Sequence, residues 1–213
     1  MKPYTHIIWD WNGTLLDDAA WSMQCINHVL ALSQRPPFFC IEGYREVFGF
    51  PTRDYYIRAG LDFADAPFET LAQVYIDRYH GDGGRSLALF DDAAPALAAI
   101  AAAGIKQVIL SASRIDHLQK QLAPFDIAHH FDEILGISDF YATGKTDIGR
   151  AYAQRNGIMR GVLIGDTTHD AEVARAIGVD CVLVARGHQS RKRLLACGVP
   201  VAEDLVEALA FVL

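Results

Sequence analysis

The sequence predicts an α/β fold, a parallel sheet flanked by helices and interrupted by one inserted all-helical segment. Short apolar runs alternate with helical patterns along most of the chain, which is typical of parallel strands joined by helical crossovers. Polar clusters follow three of these runs at the point where each run ends. The stretch 17–89 contains helical patterns and no strong strand signal, which indicates an insertion.

Five apolar runs are interpreted as strands of the sheet. They lie at 5–9, 106–110, 133–135, 161–164 and 181–184. Helices are expected between or after these strands, at about 114–123, 144–156, 170–177 and from about 203. Gly157 and Gly178 are well placed to end two of these helices. Ser113 and Asp116 have the spacing of a capping box at the start of another.

The insertion is expected to form a helical cap domain at 17–89, over a core made of residues 1–16 and 90–213. Its helical patterns lie near 19–34, 40–48, 52–59 and 67–80. Hinges are expected near 17–19 and in the glycine-rich segment 81–85, so that the cap can close over the core.

Composition restricts the class of partner and the cell compartment. The net charge is −7 with no long run of either sign, which does not favour nucleic acid or an anionic membrane. The four cysteines are far apart and lack zinc-site spacing, so free thiols in a reducing cytosol are expected. No signal-peptide pattern is seen, and the most apolar stretch, 93–104, is too short to span a membrane. These features predict a cytoplasmic monomer or homodimer that binds a small molecule.

The three polar clusters should converge on one crevice, because ligands of parallel sheets bind beyond the carboxyl ends of the strands. Asp10, Asp166 and Asp170 would repel one another there without a cation. Mg²⁺ resolves this repulsion, since it binds a few carboxylates together with waters and substrate phosphate. Lys145 would add positive charge beside Asp10, and Ser111 could donate a hydrogen bond to a phosphate oxygen.

Each of these residues also has an ordinary structural interpretation. Asp10 can cap a loop, and Asp166 and Asp170 can simply match the dipole of a helix N-terminus. Lys145 taken alone is more often a surface lysine, and Ser111 a turn residue. Their joint occurrence after consecutive strands is what favours a functional site.

Taken in this order, the residues resemble the haloacid dehalogenase superfamily, most of whose members are phosphatases. The matching pieces are DWNGTLLD at 10–17, VILS at 108–111, Lys145, and GDTTHD at 165–170. The match covers nearly the whole chain, and the insertion resembles the helical C1 cap of the phosphoglycolate phosphatase-like branch. The resemblance implies a Rossmann-like sheet with strand order 5-4-1-2-3. It also implies Mg²⁺-dependent hydrolysis of a small phosphorylated metabolite.

The resemblance further implies a role for each matched residue. Asp10 would be the nucleophile that becomes an aspartyl-phosphate, Ser111 would hold phosphoryl oxygens, and Lys145 would neutralise charge near Asp10. The residues implied to contact substrate are Gly13, Thr14, Ser111 and Ala112. Those implied to hold Mg²⁺ are Asp10, Asn12 through its main-chain carbonyl, Asp166, and Asp170 as ligand or neighbour.

The match breaks at Asn12, where phosphatases of the family have a second Asp that protonates the leaving oxygen and later activates water. An amide has no useful proton to exchange at neutral pH, and losing a general acid/base typically costs about 10²–10⁴ in rate. One explanation is a specialised phosphatase whose substrate has a good leaving group, such as an acyl phosphate. Another is a substitute residue: His169 first, then His28 or His80. The alternative is a non-catalytic or weakly active binding protein that retains the Mg²⁺ site.

Two kinds of relative also lack the second Asp. Phosphonate-cleaving relatives use a cap lysine as a Schiff base, but residues 17–89 contain no lysine. True dehalogenases need no metal, and the presence of both Asp166 and Asp170 favours Mg²⁺. The arginines of the cap could meet a second anionic group of the substrate, and its aromatic residues are expected to be mostly core. These arginines are Arg35, Arg45, Arg53, Arg58, Arg78 and Arg85.

Overall fold

A mostly parallel sheet organises the structure, a computed structural model that describes residues 4–64, 66–81, 87–138 and 144–213. Its strands, in chain order, are β1 His6–Trp9, β2 Leu16–Asp17, β3 Ala88–Leu89, β4 Lys106–Arg114, β5 Glu133–Ile137, β6 Gly161–Gly165, β7 Asp180–Val184 and β8 Val201–Ala202. Six of them form one sheet in the order β5-β4-β1-β6-β7-β8, and β2 pairs with β3 separately. The predicted Rossmann-like α/β sheet is therefore confirmed.

The strand order follows the expected one, with an addition at one edge. The strands of the large sheet can be numbered by their order in the chain, with β1 first and β7 fifth. Read from β7 to β5, the first five strands then lie in the order 5-4-1-2-3. The unpredicted β8 extends the sheet beyond β7 and is only two residues long. Trp9 lies opposite both Ile109 and Ile164, so β1, β4 and β6 run level with one another. The residues that follow these strands therefore meet at one edge of the sheet.

Ten α-helices accompany the strands within the described residues. They are α1 Ala19–Leu32, α2 Ile41–Val47, α3 Thr52–Arg58, α4 Phe68–Tyr79, α5 Ala93–Ala102, α6 Ile115–Leu122, α7 Lys145–Arg155, α8 Thr168–Ile177, α9 Arg191–Leu195 and α10 Leu205–Ala210. Side chains of β1 alternate between the two faces of the sheet, as the strand period requires. Ile7 and Trp9 pack with residues of α5 and α10 on one face, whereas Ile8 packs with residues of α7 and α8 on the other.

The cap, defined here as residues 17–89, has a hydrophobic core of its own. Helices α1 to α4 lie within it, and residues from α1, α2, α3 and α4 form one buried cluster around Tyr44 and Tyr56. Its two ends run side by side, because β2 and β3 pair with Leu16 opposite Leu89. Most of the predicted glycine-rich hinge, including Gly83, Gly84 and Arg85, lies outside the described residues.

Two predicted helix starts are wrong. The expected capping box at Ser113 does not form, because β4 continues through Arg114 and α6 begins at Ile115. Asp116 is instead held by Arg114, with Nη2 2.6 Å from Oδ2. Helix α8 begins two residues earlier than expected, and Thr167 forms a capping box with Asp170. No helix in the described part of the chain combines the length and apolar character needed to cross a membrane.

Candidate active site

The predicted site residues come together at the carboxyl edge of the sheet. Asp10 follows β1 directly, and its amide donates to the Ile164 carbonyl at 2.9 Å. Ser111 lies in β4, Lys145 is the first residue of α7, and Asp166 follows β6. With Asn12, Ala112 and Asp170, these residues line a cavity of about 760 Å³ beneath the cap.

Lys145 is buried between two carboxylates. Its Nζ donates to Asp10 Oδ1 and, at 2.5 Å, to Asp170 Oδ1, and the residue is only 4% exposed. Burial alone would lower the pKa of Lys145, but Asp10 and Asp170 outweigh it and raise the pKa above its ordinary value. Lys145 is therefore a buried ammonium group, and the surface-lysine interpretation does not fit.

Asp170 fixes Lys145 from the far side. Its Oδ2 accepts hydrogen bonds from the Thr167 amide at 3.0 Å and the Thr167 hydroxyl at 2.6 Å. Burial tends to raise the pKa of Asp170, yet Lys145 and Thr167 hold it below its usual range. Asp170 is thus a carboxylate whose two oxygens already accept hydrogen bonds.

Asp10 and Asp166 are crowded carboxylates that suit a divalent cation. Ligand oxygens of Asp10, Asp166 and Asp170 all lie within 4.8 Å of one another. Burial raises the pKa of Asp10 to about 6, against the pull of Lys145, and that of Asp166 to about 8, against the pull of His188. A cation would relieve this destabilisation, and a buried set of carboxylate oxygens fits Mg²⁺.

The oxygens that remain for a cation can be identified from their contacts. Asp10 Oδ1 faces Lys145, and Asp166 Oδ2 accepts from the His188 amide at 2.6 Å. The other two oxygens share the Thr14 hydroxyl at long distances, 3.4 Å from Asp10 Oδ2 and 3.3 Å from Asp166 Oδ1. These two weakly bound oxygens make Asp10 and Asp166 the better candidates, with Asp170 acting on Lys145.

Glycines allow two loops to close on Asp166. Gly13 has φ +75°, and a Cβ there would lie 2.4 Å from Asp166 Oδ2 and 2.6 Å from His188 Cδ2. A Cβ on Gly187 would lie 2.1 Å from the same carboxylate oxygen. Gly13 and Thr14 therefore pack against the site carboxylates and are not among the residues that line the cavity.

Both the nitrogen and the oxygen of the Asn12 side-chain amide form hydrogen bonds. Nδ2 donates to Asp18 Oδ2 at 3.0 Å and to the Tyr79 hydroxyl at 2.9 Å. Oδ1 accepts from the Ser113 hydroxyl at 2.9 Å. Both amide hydrogens are used, and Tyr79 belongs to α4 of the cap, so Asn12 lies where the core meets the cap.

Asp18 and His188 form a buried pair beside Asn12 that the sequence analysis missed. His188 Nε2 lies 3.2 Å from Asp18 Oδ1, which also accepts from the Gly13 amide at 2.8 Å. Burial would lower the pKa of His188, but Asp18 first, then Asp166 and Asp10, raise it to about 9. His188 is therefore an imidazolium, and its Nδ1 donates to the Tyr44 hydroxyl at 2.7 Å.

A signal for His188 was present in the sequence. The residues after β7 form a fourth polar cluster at the carboxyl end of a strand, and the rule applied to the other three strands also applies to it. Asp18 had a weaker signal, as a second acid directly after the DWNGTLLD run. Its importance depends on contacts with residues distant in sequence.

Two of the three histidines suggested as substitutes for the acid/base line the cavity. His169 lines the cavity, where its ring lies 4.8 Å from that of Phe50 and Nδ1 lies 3.3 Å from Glu172. His80 also lines the cavity, whereas His28 is not among the lining residues. The side chains that contact the Asn12 amide belong instead to Asp18, Tyr79 and Ser113.

Among the six cap arginines, Arg53 lines the cavity, with its guanidinium 4.8 Å from the Phe63 ring centre. Four others bind groups outside the cavity: Arg35 pairs with Asp62, Arg45 and Arg58 donate to main-chain carbonyls, and Arg78 lies over Trp21. Arg85 lies outside the described residues. The expected burial of cap aromatics holds for Tyr44, Tyr55 and Tyr56.

Two curated relatives are each 29% identical to this chain over the aligned residues. A phosphoglycolate phosphatase from Caulobacter vibrioides is 29% identical over 191 residues, which cover 85% of this chain and 79% of the relative. Tyrosine-protein kinase PtkA from Mycobacterium tuberculosis is 29% identical over 187 residues, covering 85% of this chain. The alignment spans only 62% of the length of that kinase.

Solved structures agree on the fold. The solved PtkA chain superposes with a TM-score of 0.82 at 25% identity, covering 100% of this chain and 99% of that one. A haloacid dehalogenase-like family hydrolase from Streptococcus pneumoniae gives 0.83 at 22% identity, covering 99% of both chains.

The family assignment comes from a match to a whole-family model. The model described as haloacid dehalogenase-like hydrolase matches residues 7–184, which include every strand of the large sheet except β8. The chain belongs to the haloacid dehalogenase-like hydrolase family.

Proposed function

We propose that this protein is a Mg²⁺-dependent phosphatase that hydrolyses a small phosphorylated molecule through a phosphoryl group carried on Asp10. The observation that carries the proposal is the buried Asp10–Lys145–Asp170 arrangement, with Asp166 beside it, on the wall of a cavity large enough for a metabolite. An isolated buried carboxylate would be neutral, and Lys145 is the group that holds Asp10 ionised.

The chain's own residues can perform the covalent steps. An ionised oxygen of Asp10 forms a bond to phosphorus while the bond from phosphorus to the leaving oxygen breaks, and that oxygen keeps the electron pair. A water oxygen then attacks the same phosphorus, which releases inorganic phosphate and restores Asp10. The two protons of that water end on the leaving oxygen and on phosphate, so the net reaction adds one water to the ester.

Lys145, Asp170, Ser111 and Mg²⁺ would each assist the transfer of the phosphoryl group. Lys145 orients Asp10 and offers positive charge to the transferring phosphoryl group, while Asp170 keeps Lys145 in place. Ser111, which is buried on the cavity wall, is positioned to donate to a phosphoryl oxygen. Mg²⁺ bound at Asp10 and Asp166 would neutralise phosphate charge.

Asn12 limits the range of leaving groups. Its amide hydrogens are already donated to Asp18 and Tyr79, and an amide does not supply a proton at neutral pH. The enzyme is therefore specialised for substrates whose leaving oxygen departs without strong acid catalysis.

The hydrogen-bonded amide of Asn12 also supports a second candidate, a non-catalytic or weakly active binding protein that retains the Mg²⁺ site. In this candidate Asp10, Asp166 and Lys145 would bind a phosphorylated ligand without turnover. Retention of Lys145 and Asp170 in a buried hydrogen-bonded arrangement favours the enzyme over this candidate.

The test is phosphate release from acetyl phosphate, p-nitrophenyl phosphate and 2-phosphoglycolate, with Mg²⁺ and after EDTA treatment. Because one relative is named as a tyrosine-protein kinase, ATP with a tyrosine peptide joins the screen. We expect Mg²⁺-dependent turnover that Asp10→Asn lowers by at least about 10³-fold. The matched control, Asp17→Asn, changes an exposed neighbour and should keep wild-type activity.

Two outcomes would contradict the proposal. Turnover that survives removal of metal would indicate metal-free chemistry of the dehalogenase type. Mg²⁺ binding by calorimetry in both wild type and Asp17→Asn, with no turnover of any phosphate compound, would establish the binding-protein candidate.

A further inference from the structure

Aromatic rings form a large part of the cavity wall that the cap contributes. Six of them are Phe48, Phe50, Tyr55, Phe68, Tyr75 and Tyr79. The cavity of about 760 Å³ falls within the range of small-molecule sites and is far larger than a two-carbon phosphate needs. Its aromatic lining suits a flat apolar group attached to the phosphate.

Phe50 lines the cavity and is partly exposed to solvent. It is 37% exposed, and its ring centre lies 5.8 Å from that of Phe48 and 4.8 Å from that of His169. His169 belongs to α8 of the core, so rings of cap and core meet beside the site carboxylates. Aromatic pairs prefer such offset or edge-to-face arrangements, and a substrate ring entering here would find both kinds of partner.

The described cations that line the cavity are already engaged with other groups. Lys145 binds Asp10 and Asp170, and His188 pairs with Asp18. Arg114 holds Asp116 at 2.6 Å, and Arg53 lies over the Phe63 ring. The carboxylate of a substrate such as phosphoglycolate would have to compete for one of them. An aromatic ring of a substrate would contact the aromatic side chains and would not compete for these cations.

Asn12 gives an independent reason for the same class of substrate. With no acid at this position, the leaving oxygen must depart as an anion, and the ease of departure follows the pKa of its conjugate acid. A phenol such as the tyrosine side chain has a pKa of about 10, against about 16 for water. Aliphatic alcohols resemble water in this respect, so a phenolate leaves far more readily than an alkoxide.

We propose that the substrate is the phosphate monoester of a phenol, bound with its phosphate at Asp10 and its ring among the aromatic side chains of the cap. This inference rests on the proposed phosphatase function and deepens it. In the first step the Asp10 oxygen–phosphorus bond forms as the bond from phosphorus to the aryl oxygen breaks, and the electron pair leaves on the phenolate. The water that later attacks phosphorus supplies the proton that the phenolate takes up.

The experiment compares kcat/KM and KM for matched substrates with the intact protein and Mg²⁺. Phenyl phosphate and cyclohexyl phosphate have similar size but different leaving groups, while acetyl phosphate has a good leaving group without a ring. We expect kcat/KM for phenyl phosphate to exceed that for cyclohexyl phosphate and phosphoglycolate by at least about 10²-fold, from the usual size of acid/base effects. The KM for phenyl phosphate should also be lower than for acetyl phosphate.

A variant isolates the contribution of the rings. Phe50→Leu should raise the KM for phenyl phosphate about 3-fold or more, and by a larger factor than the KM for acetyl phosphate, because a stacking partner is lost. Phe39→Leu changes a ring that is 89% exposed and away from the cavity, and serves as the matched control. Thermal unfolding of both variants checks that each is folded.

The outcomes separate this inference from the function on which it rests. If cyclohexyl phosphate or phosphoglycolate is hydrolysed as well as phenyl phosphate, the phenol class is wrong and the phosphatase assignment stands. An equal effect of Phe50→Leu on phenyl and acetyl phosphate also overturns it. No hydrolysis of any of the four compounds overturns both. Comparing O-phospho-L-tyrosine with a phosphotyrosyl peptide then distinguishes a metabolite from a protein as the source of the phenol.

Discussion

The two sides of the active-site cavity are built on different physical principles. The core side, formed by Asp10, Lys145, Asp166 and Asp170, consists of buried charges. Lys145 stabilises Asp10 and Asp170 through short contacts, whereas Asp166 is crowded against the other carboxylates. The cap side is rich in aromatic rings on helices and loops and also contributes Asp18, Arg53 and Glu69. Under the proposed function, the core side would bind the phosphoryl group, which is the same in every substrate. The cap side would bind the part of the substrate that differs.

Asn12 lies where these two sides meet. It contacts Asp18 and Ser113 near the core and Tyr79 on the cap. A phosphatase of this family would be expected to have its proton donor here, and this chain has instead a hydrogen-bonded amide. The boundary between the two sides is therefore where this protein differs from the phosphatase pattern that the resemblance implies.

The largest effect is expected on the core side. Lys145→Met leaves Asp10 and Asp170 buried without their cation, so kcat/KM should fall by at least about 10³-fold. The free energy of unfolding should fall by about 3–5 kcal/mol in the absence of metal, since breaking a buried ion pair leaves a buried charge without a partner. Steady-state kinetics and urea unfolding measure the two effects. Lys106→Met, at an exposed position of β4, is the control, and near-normal activity of Lys145→Met would refute this account.

A smaller effect is expected at the boundary. Sequence alone predicts that Asn12→Asp is nearly isosteric and raises hydrolysis of ordinary phosphomonoesters by up to about 10²-fold. The structure modifies this expectation, because the new carboxylate would lie against Asp18 Oδ2, now 3.0 Å from Asn12 Nδ2. We expect the single variant to gain less than about 10-fold, and Asn12→Asp combined with Asp18→Asn to gain up to about 10².

The measurement is kcat/KM for p-nitrophenyl phosphate and phosphoglycolate in a double-mutant cycle, with Asp18→Asn as the remaining single variant. A full gain from Asn12→Asp alone would show that Asp18 does not restrict position 12. A fast wild type with no gain in either variant would show that another residue transfers the proton.

A third effect concerns stability and is also located at the boundary. Asp18, Asp166 and Asp10 overcome the effect of burial and raise the pKa of His188 from 6.5 to about 9. A raised pKa stabilises the fold fully below pH 6.5, and that stabilisation is lost as pH rises through about 9. The difference corresponds to about 3 kcal/mol, from about 1.4 kcal/mol for each tenfold change in proton affinity.

The stability advantage of wild type over His188→Gln should therefore shrink between pH 6.5 and 9.5 in metal-free buffer. Urea unfolding at several pH values measures it, and His129→Gln, at an exposed histidine, is the control. A difference between wild type and His188→Gln that does not change with pH would show that His188 is not a buried imidazolium.

The core side of the site was largely predictable from the sequence, because its residues follow strands. Asp10 and Asp166 each come directly after an apolar run, and the parallel register brings them together. His188 was missed although it follows β7, and Asp18 was missed because its role arises from a contact with His188 across 170 positions of the chain. The Ser113 capping box failed for a similar reason, since pairing with β5 keeps β4 extended through Arg114.

The antiparallel pairing of β2 with β3 has a consequence for how such enzymes diversify. Since Leu16 lies opposite Leu89, the chain leaves the sheet domain and returns to it at neighbouring points. An insert whose two ends are adjacent can be exchanged for another without rerouting the rest of the polypeptide. If the cap recognises the substrate as proposed, new specificities could evolve by replacing the whole cap at this one pair of adjacent attachment points.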